Sequence, residues 1–165
     1  MIHSHCSTAE KLKEKQRGEE QMNIAIVYDS STGTTASAAK EMAKIFEEQG
    51  HQCHVQSVFQ ADPDEVSQAD LICIGSWVKG LFIVLQHPTE ETMRFIERLG
   101  NLTGKKALVF CTYKLAVGPM LRRMTQRLEK KGAQVVGQFK YRGPMPSNKF
   151  TSFAASFNQE KVYTG

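Results

Sequence analysis

The amino-acid sequence predicts an α/β protein built on a parallel sheet. Short apolar runs at residues 24–28, 70–75 and 106–111 have the length and composition of strands covered on both faces. Segments with apolar side chains at helical spacing separate these runs, and this alternation is typical of β-α-β units with right-handed crossovers. A loop crowded with hydroxyl side chains follows the first strand, at a place where parallel sheets commonly bind ligands.

The first helix is predicted over residues 36–49, because apolar or small side chains recur on one face and Gly50 follows the last turn. The members of this stripe are Ala39, Met42, Ala43 and Phe46. The second strand, residues 52–59, alternates apolar and polar side chains, which indicates an edge strand with one wetter face. The Asp-Pro-Asp sequence at 62–64 predicts a turn or a single helical turn.

The middle of the chain predicts a hydrophobic loop and two more helices. The loop covers residues 76–82, directly after the third strand. Thr89 and Gly100 bound one helix, as an N-cap and a stop signal, and its buried face is expected to carry Met93, Ile96 and Leu99. Pro119 and Gly132 bound the next helix.

The predicted fifth strand covers residues 134–140, and the main domain is expected to span residues 22–146. Residues 1–21 are polar and charged and are expected to form a mobile extension. Residues 147–165 are expected to form a short helix or an extended tail that covers the sheet. Phe150, Phe153, Ala154 and Phe157 fit one helical stripe in that segment.

Composition and charge narrow the class of protein. No apolar run reaches the length of a membrane helix, and the first residues lack the apolar segment of a secretion signal, so a cytoplasmic protein is expected. The four cysteines form no CxxC pair, which favours free thiols. The net charge of +4 belongs to residue 22 onward, because residues 1–21 carry equal numbers of acidic and basic side chains. A basic surface indicates an acidic protein partner or weak attraction to a membrane surface, whereas no basic run interleaved with aromatics indicates nucleic-acid binding.

The hydroxyl loop has the composition of a phosphate site. The first turn of a helix leaves backbone N–H groups without partners and carries partial positive charge, which favours an anion. Five hydroxyl side chains surround the glycine of this loop, residues 30–35, and no Lys or Arg lies in it. A Walker loop is excluded because it needs a lysine. Helix capping alone would explain one hydroxyl, so five favour a phosphate held by neutral donors.

The sequence Ser30-Ser31-Thr32-Gly33-Thr34-Thr35 resembles the [TS]-x-T-G-x-T phosphate loop of the flavodoxins, and the resemblance runs from about residue 22 to about residue 143. It implies a flavodoxin-like three-layer α/β sandwich whose five parallel strands have the order 2-1-3-4-5. It also implies flavin mononucleotide (FMN) at the carboxyl ends of the strands. No catalytic residue and no metal ligand set is implied.

The resemblance further implies that three loops hold the FMN. The hydroxyl loop would bind the phosphate, and the loops after the third and fourth strands would form two walls around the flavin ring. Trp77 and Tyr113 are the aromatic residues of these walls, although a core or interface position for Trp77 and a structural role for Tyr113 stay open. The implied cofactor-binding residues are Ser30, Ser31, Thr32, Gly33, Thr34, Thr35, Ser76, Trp77, Val78, Lys79, Gly80, Thr112, Tyr113, Lys114 and Leu115.

Three functions follow from these observations. The favoured one is an FMN-binding protein that transfers electrons to and from redox partner proteins, as a monomer or a homodimer. The second is an NAD(P)H-dependent FMN reductase of quinones or similar small acceptors, which needs an open flavin face. The third is an interaction module of the same fold without cofactor, because Lys79 and Leu115 stand where the family often has aromatics.

Overall fold

The computed structural model describes residues 21–81, 84–115 and 117–157. These ranges form seven strands and five helices. In chain order they are β1 (Asn23–Tyr28), α1 (Thr34–Glu48), β2 (Gln52–Ser57), α2 (Pro63–Ser67), β3 (Leu71–Trp77), β4 (Lys79–Leu81), β5 (Val84–His87), α3 (Glu90–Arg98), β6 (Lys106–Thr112), α4 (Met120–Lys130), β7 (Gln134–Tyr141) and α5 (Asn148–Phe157).

Five strands form one parallel sheet in the spatial order β2-β1-β3-β6-β7. When these strands alone are numbered along the chain, the order is 2-1-3-4-5, so the predicted topology is confirmed. β4 and β5 form a separate antiparallel hairpin. None of the described helices is both long enough and apolar enough to cross a bilayer.

The helices cover both faces of the sheet. Successive side chains of a strand point to opposite faces, and β1 shows this directly. Ile24 and Ile26 pack on the face covered by α1 and α5, whereas Ala25 and Val27 pack on the face covered by α3 and α4. The strands β1, β3 and β6 are buried along nearly all their length, and β2 is half-exposed, as predicted for an edge strand.

The prediction of a loop over residues 76–82 is wrong. β3 continues through Trp77, because this residue pairs in register with Thr112 of β6. The chain then enters the β4–β5 hairpin, in which Leu81 pairs with Val84. Residues 82 and 83 lie outside the described part of the chain. This segment was therefore strand-forming sequence, and its one glycine, Gly80, lies within β4.

Of the turn or single helical turn expected at residues 62–64, the structure shows a short helix, and the predicted helix start at Thr89 agrees with the structure. The Asp62 side chain accepts a hydrogen bond from the Asp64 amide (2.9 Å) at the start of α2, which is a single short helix. The Thr89 side chain accepts one from the Thr92 amide (3.2 Å) at the start of α3. Short polar side chains stabilise helix starts in this way because they satisfy otherwise unpaired amides.

α5 covers the sheet beside α1. Its buried side chains are Phe150, Ala154 and Phe157, while Phe153 is only partly buried against the same cluster. Of the two forms expected for residues 147–165, the structure shows the helix over residues 148–157, and residues 158–165 lie outside the described residues together with residues 1–20. The domain boundaries at residues 22 and 146 stay predictions.

Gly75 offers a sharp test of core packing. A Cβ atom at this position of β3 would lie 2.1 Å from Cζ of the Phe110 ring. We expect Gly75→Ala to lower the free energy of unfolding by roughly 1–3 kcal/mol, because the ring and its neighbours must move. Urea denaturation measures this change.

Gly100→Ala is the matched control for Gly75→Ala. The nearest atom to a Cβ at Gly100 would be Ser67 Oγ at 3.7 Å, an ordinary contact. Equal unfolding midpoints for the two variants would contradict the close packing of Phe110 on β3.

Candidate functional site

The candidate site lies at the carboxyl ends of the parallel strands. The chain passes from β1 to one neighbour, β2, and later returns to the other neighbour, β3, so the winding reverses between β1 and β3. Ligands of open α/β sheets bind beyond this reversal. The Asp29 amide donates a hydrogen bond to the Gly75 carbonyl (3.0 Å) and joins the two strand ends there. A cleft of about 630 Å³ opens above them.

The structure brings most of the predicted site residues to this cleft. Those that line it are Ser31, Thr32, Thr34, Thr35, Trp77, Val78, Thr112, Tyr113, Lys114 and Leu115. Ser30, Gly33 and Ser76 do not line it, and the predictions for Lys79 and Gly80 fall on residues whose side-chain surroundings lie outside the described part of the structure. Three further lining residues, Arg142, Gly143 and Pro144, were not predicted.

The hydroxyl loop is held by contacts of its own. Gly33 has φ +89°, a left-handed conformation that glycine adopts without strain. Its amide donates a hydrogen bond to Ser30 Oγ (3.0 Å), and the hydroxyls of Thr32 and Thr34 lie 3.3 Å apart. Ser30 therefore shapes the loop from behind, while Thr32 and Thr34 face the cleft.

The amino end of α1 has no cap of its own. Gly33 occupies the N-cap position and has no side chain to accept a hydrogen bond from the first helical amides, and the first turn contains no acidic residue. Helix capping therefore does not explain the hydroxyls of this loop. The positive end of α1 lies open beside a cluster of neutral donors, and both features favour an anion.

Thr35 connects the hydroxyl loop to the carboxyl end of β6. Its side chain is buried, and its Oγ1 lies 2.6 Å from Oγ1 of Thr112 at the end of β6. Such a short contact between two buried hydroxyls is a hydrogen bond and fixes the distance between the hydroxyl loop and one wall.

The two walls begin at the ends of β3 and β6. Trp77 and Tyr113 are both half-buried, so each ring has a free surface as well as support from the protein. The Val78 amide donates to the Thr112 carbonyl (3.3 Å) and the Tyr113 amide donates to the Tyr141 carbonyl (3.1 Å). Leu115 is 74% exposed, so it leaves the cleft open.

Ser76 lies behind the cleft wall. Ser76 is fully buried, and its hydroxyl donates to the Trp77 carbonyl (3.0 Å) and accepts from the Thr89 amide (3.1 Å). These two bonds tie the end of β3 to the start of α3. Lys79 and Gly80 belong to β4, where Lys79 pairs with His87.

Arg142, Gly143 and Pro144 add a fourth segment to the cleft. They follow β7, which is parallel to β6 and so ends at the same edge of the sheet. The Gly-Pro pair after the predicted fifth strand was the sequence signal that could have indicated a loop at the cleft. With Lys114, Arg142 gives the cleft two cations, and no carboxylate is found among the described residues that line it.

The sequence matches the Flavodoxin family model over residues 26–155. It is 30% identical to a flavodoxin of Clostridium beijerinckii over 114 residues, which is 68% of this chain and 80% of that protein. It is 28% identical to a flavodoxin of Megasphaera elsdenii over 114 residues, which is 69% of this chain and 82% of that protein.

Solved structures agree with this match. The solution structure of two-electron reduced Megasphaera elsdenii flavodoxin superposes with a TM-score of 0.70 at 27% identity, covering 81% of this chain and 98% of that one. A short-chain flavodoxin associated with a non-canonical PDU bacterial microcompartment has a TM-score of 0.68 at 17% identity, covering 87% of this chain and 99% of that one, and shows the shared fold. This chain therefore belongs to the flavodoxin family, whose members are FMN-binding electron-transfer proteins.

Proposed function

We propose that this flavodoxin binds FMN in the cleft above β1, β3 and β6 and exchanges electrons there with an acidic partner protein. The observation that carries the proposal is the uncapped amino end of α1 beside Ser31, Thr32 and Thr34. A phosphate placed there would accept hydrogen bonds from backbone amides and hydroxyls, and the helix dipole would favour its charge.

The walls fit the flavin ring. Trp77 and Tyr113 each offer an aromatic face to the same cleft, from the ends of β3 and β6. A planar ring between them would gain roughly 0.5–1.5 kcal/mol per stacked pair beyond the burial of its area. The donors and the aromatic faces together match the two ends of FMN.

Bound FMN would supply the electron-transfer chemistry, while the protein orients it and sets its electrostatic surroundings. Lys114 and Arg142 place positive charge in the cleft, and nearby positive charge stabilises a negatively charged group. These two residues would therefore raise the reduction potential of the cofactor relative to a cleft without them.

The charge of the chain supports the choice of partner. The excess of basic residues, +4 at pH 7, favours attraction to an acidic surface. We also propose a cytoplasmic location, since Cys53, Cys73 and Cys111 are free thiols and a reducing compartment keeps thiols in that state.

Adding FMN to the purified chain tests the proposal. We expect the fluorescence of FMN to be quenched until one equivalent per chain has been added, because an aromatic stacked on the ring quenches its emission. FMN that keeps its free fluorescence at every ratio would refute the proposal. Steady-state oxidation of NADPH by the loaded protein separates a carrier from a reductase, and we expect negligible turnover without a partner.

The contribution of Trp77 to FMN binding can be measured. We expect Trp77→Ala to raise the dissociation constant of FMN by about 2- to 12-fold, which corresponds to the loss of one stacked aromatic pair. Fluorescence titration measures it. Trp77→Phe keeps an aromatic face and should retain most of the affinity, so equal losses in both variants would place Trp77 outside the wall.

A further inference from the structure

The charges of this chain are unevenly distributed in space. Residues 21–70 contain eight Asp or Glu and two Lys or Arg, whereas residues 71–157 contain four and fourteen. The first segment carries β1 and β2 at one end of the sheet, and the second carries β6 and β7 at the other end. The β6–β7 half is therefore strongly basic and the β2–β1 half is acidic.

A groove of about 650 Å³ lies within the basic half, between α3 and α4. The described residues that carry charge along it are Glu90, Arg94, Arg123, Arg127 and Lys130. His87, the last residue of β5, and Pro88 close one side. This groove is separate from the cleft that we assign to FMN.

Two of the groove cations are already paired. Arg94 lies 3.7 Å from Glu90, and Arg127 forms an ion pair with Glu97. Arg123 and Lys130 are exposed, and neither has an ion-pair partner among the described residues. They are seven residues apart on one face of α4, which places them about 10 Å apart along the helix axis.

The groove also lies next to the proposed FMN site. Residues 113–115 belong to one wall of the cleft, and the chain then enters α4 at Met120. His87 ends the hairpin that follows Trp77 of the other wall. A protein seated in the groove would therefore lie close to the cleft.

We propose that this groove docks an acidic helix of the electron-transfer partner, with carboxylates two turns apart that pair with Arg123 and Lys130. The identity of the partner rests on the proposed function, whereas the geometry of docking rests on the structure. A protein partner fits better than a nucleic acid, because Glu90 and Glu97 place carboxylates beside the cations and no Phe, Tyr or Trp lines the described groove for stacking on bases.

The test uses the full-length chain loaded with FMN and two fluorescein-labelled helical peptides. One peptide carries Glu at positions i and i+7, and the other carries Gln at both. We expect the Glu peptide to bind more tightly in fluorescence anisotropy, and the double variant Arg123→Glu with Lys130→Glu to weaken its binding about tenfold or more. The FMN affinity of this variant should be unchanged.

The matched control makes the same change of charge on the opposite face of the sheet. Lys40→Glu with Lys149→Glu alters α1 and α5, and it should weaken peptide binding less than about twofold. Equal losses in the two double variants would overturn the proposal, because net charge alone would then explain them.

Three other results would also overturn it. They are equal affinity for the two peptides, tighter binding of a single-stranded DNA of equal charge, and a dimer in light scattering that the groove variant dissociates. A chain that binds the Glu peptide but takes up no FMN would refute the proposed function and leave the groove intact. The two proposals can therefore fail separately.

Discussion

Phe150→Ala is expected to lower the free energy of unfolding by roughly 3–5 kcal/mol, since it removes a large side chain from a packed core. Phe150 is fully buried on α5. Its ring centroid lies 5.2 Å from that of Phe46 and 5.3 Å from that of Phe139, with both pairs close to perpendicular. Domains of this size have total stabilities of about 5–15 kcal/mol, so this loss would be a large fraction.

Urea denaturation followed by circular dichroism measures the loss at Phe150. Phe59→Ala is the control, because Phe59 is 75% exposed and its removal should change the stability by about 0.5 kcal/mol or less. Similar unfolding curves for the two variants would mean that α5 does not contribute to the core. The test thus decides whether the carboxyl-terminal helix is an integral layer of the fold.

The double variant Thr32→Ala with Thr34→Ala is expected to raise the dissociation constant of FMN about 100-fold. Each hydrogen bond to a charged group contributes roughly 1.5–3 kcal/mol, and two such losses amount to about 3 kcal/mol or more. The two hydroxyls lie 3.3 Å apart, so removing both at once leaves no hydroxyl that has lost its hydrogen-bond partner.

Fluorescence titration with FMN measures this effect, and Ser37→Ala is its matched control. Ser37 is exposed on α1 and does not line the cleft, so its loss should change the affinity less than about twofold. Unchanged affinity in the double variant would show that the phosphate binds elsewhere.

The first β-α unit was predictable because its signals are local. The apolar run, the hydroxyl loop and the helical stripe follow one another along the chain, and each depends on neighbours in sequence. The burial of the sheet on both faces followed from the continuous apolar runs, which are typical of central parallel strands.

Other parts of the site depend on contacts that sequence patterns do not show. The hydrogen bond between Thr35 and Thr112 joins residues 77 positions apart. Arg142 reaches the cleft because β7 extends to Tyr141 and runs parallel to β6. Ser76 was expected to contact the cofactor, but its hydroxyl instead forms hydrogen bonds with the backbone of Trp77 and Thr89.

The most direct test of the account compares FMN with riboflavin, which has the same ring without the phosphate. Titrations of the full-length chain with each compound give two dissociation constants. If the open end of α1 and its hydroxyls bind the phosphate, FMN should bind about 100-fold tighter or more than riboflavin. Equal affinities, or binding of neither compound, would contradict the phosphate site at Gly33.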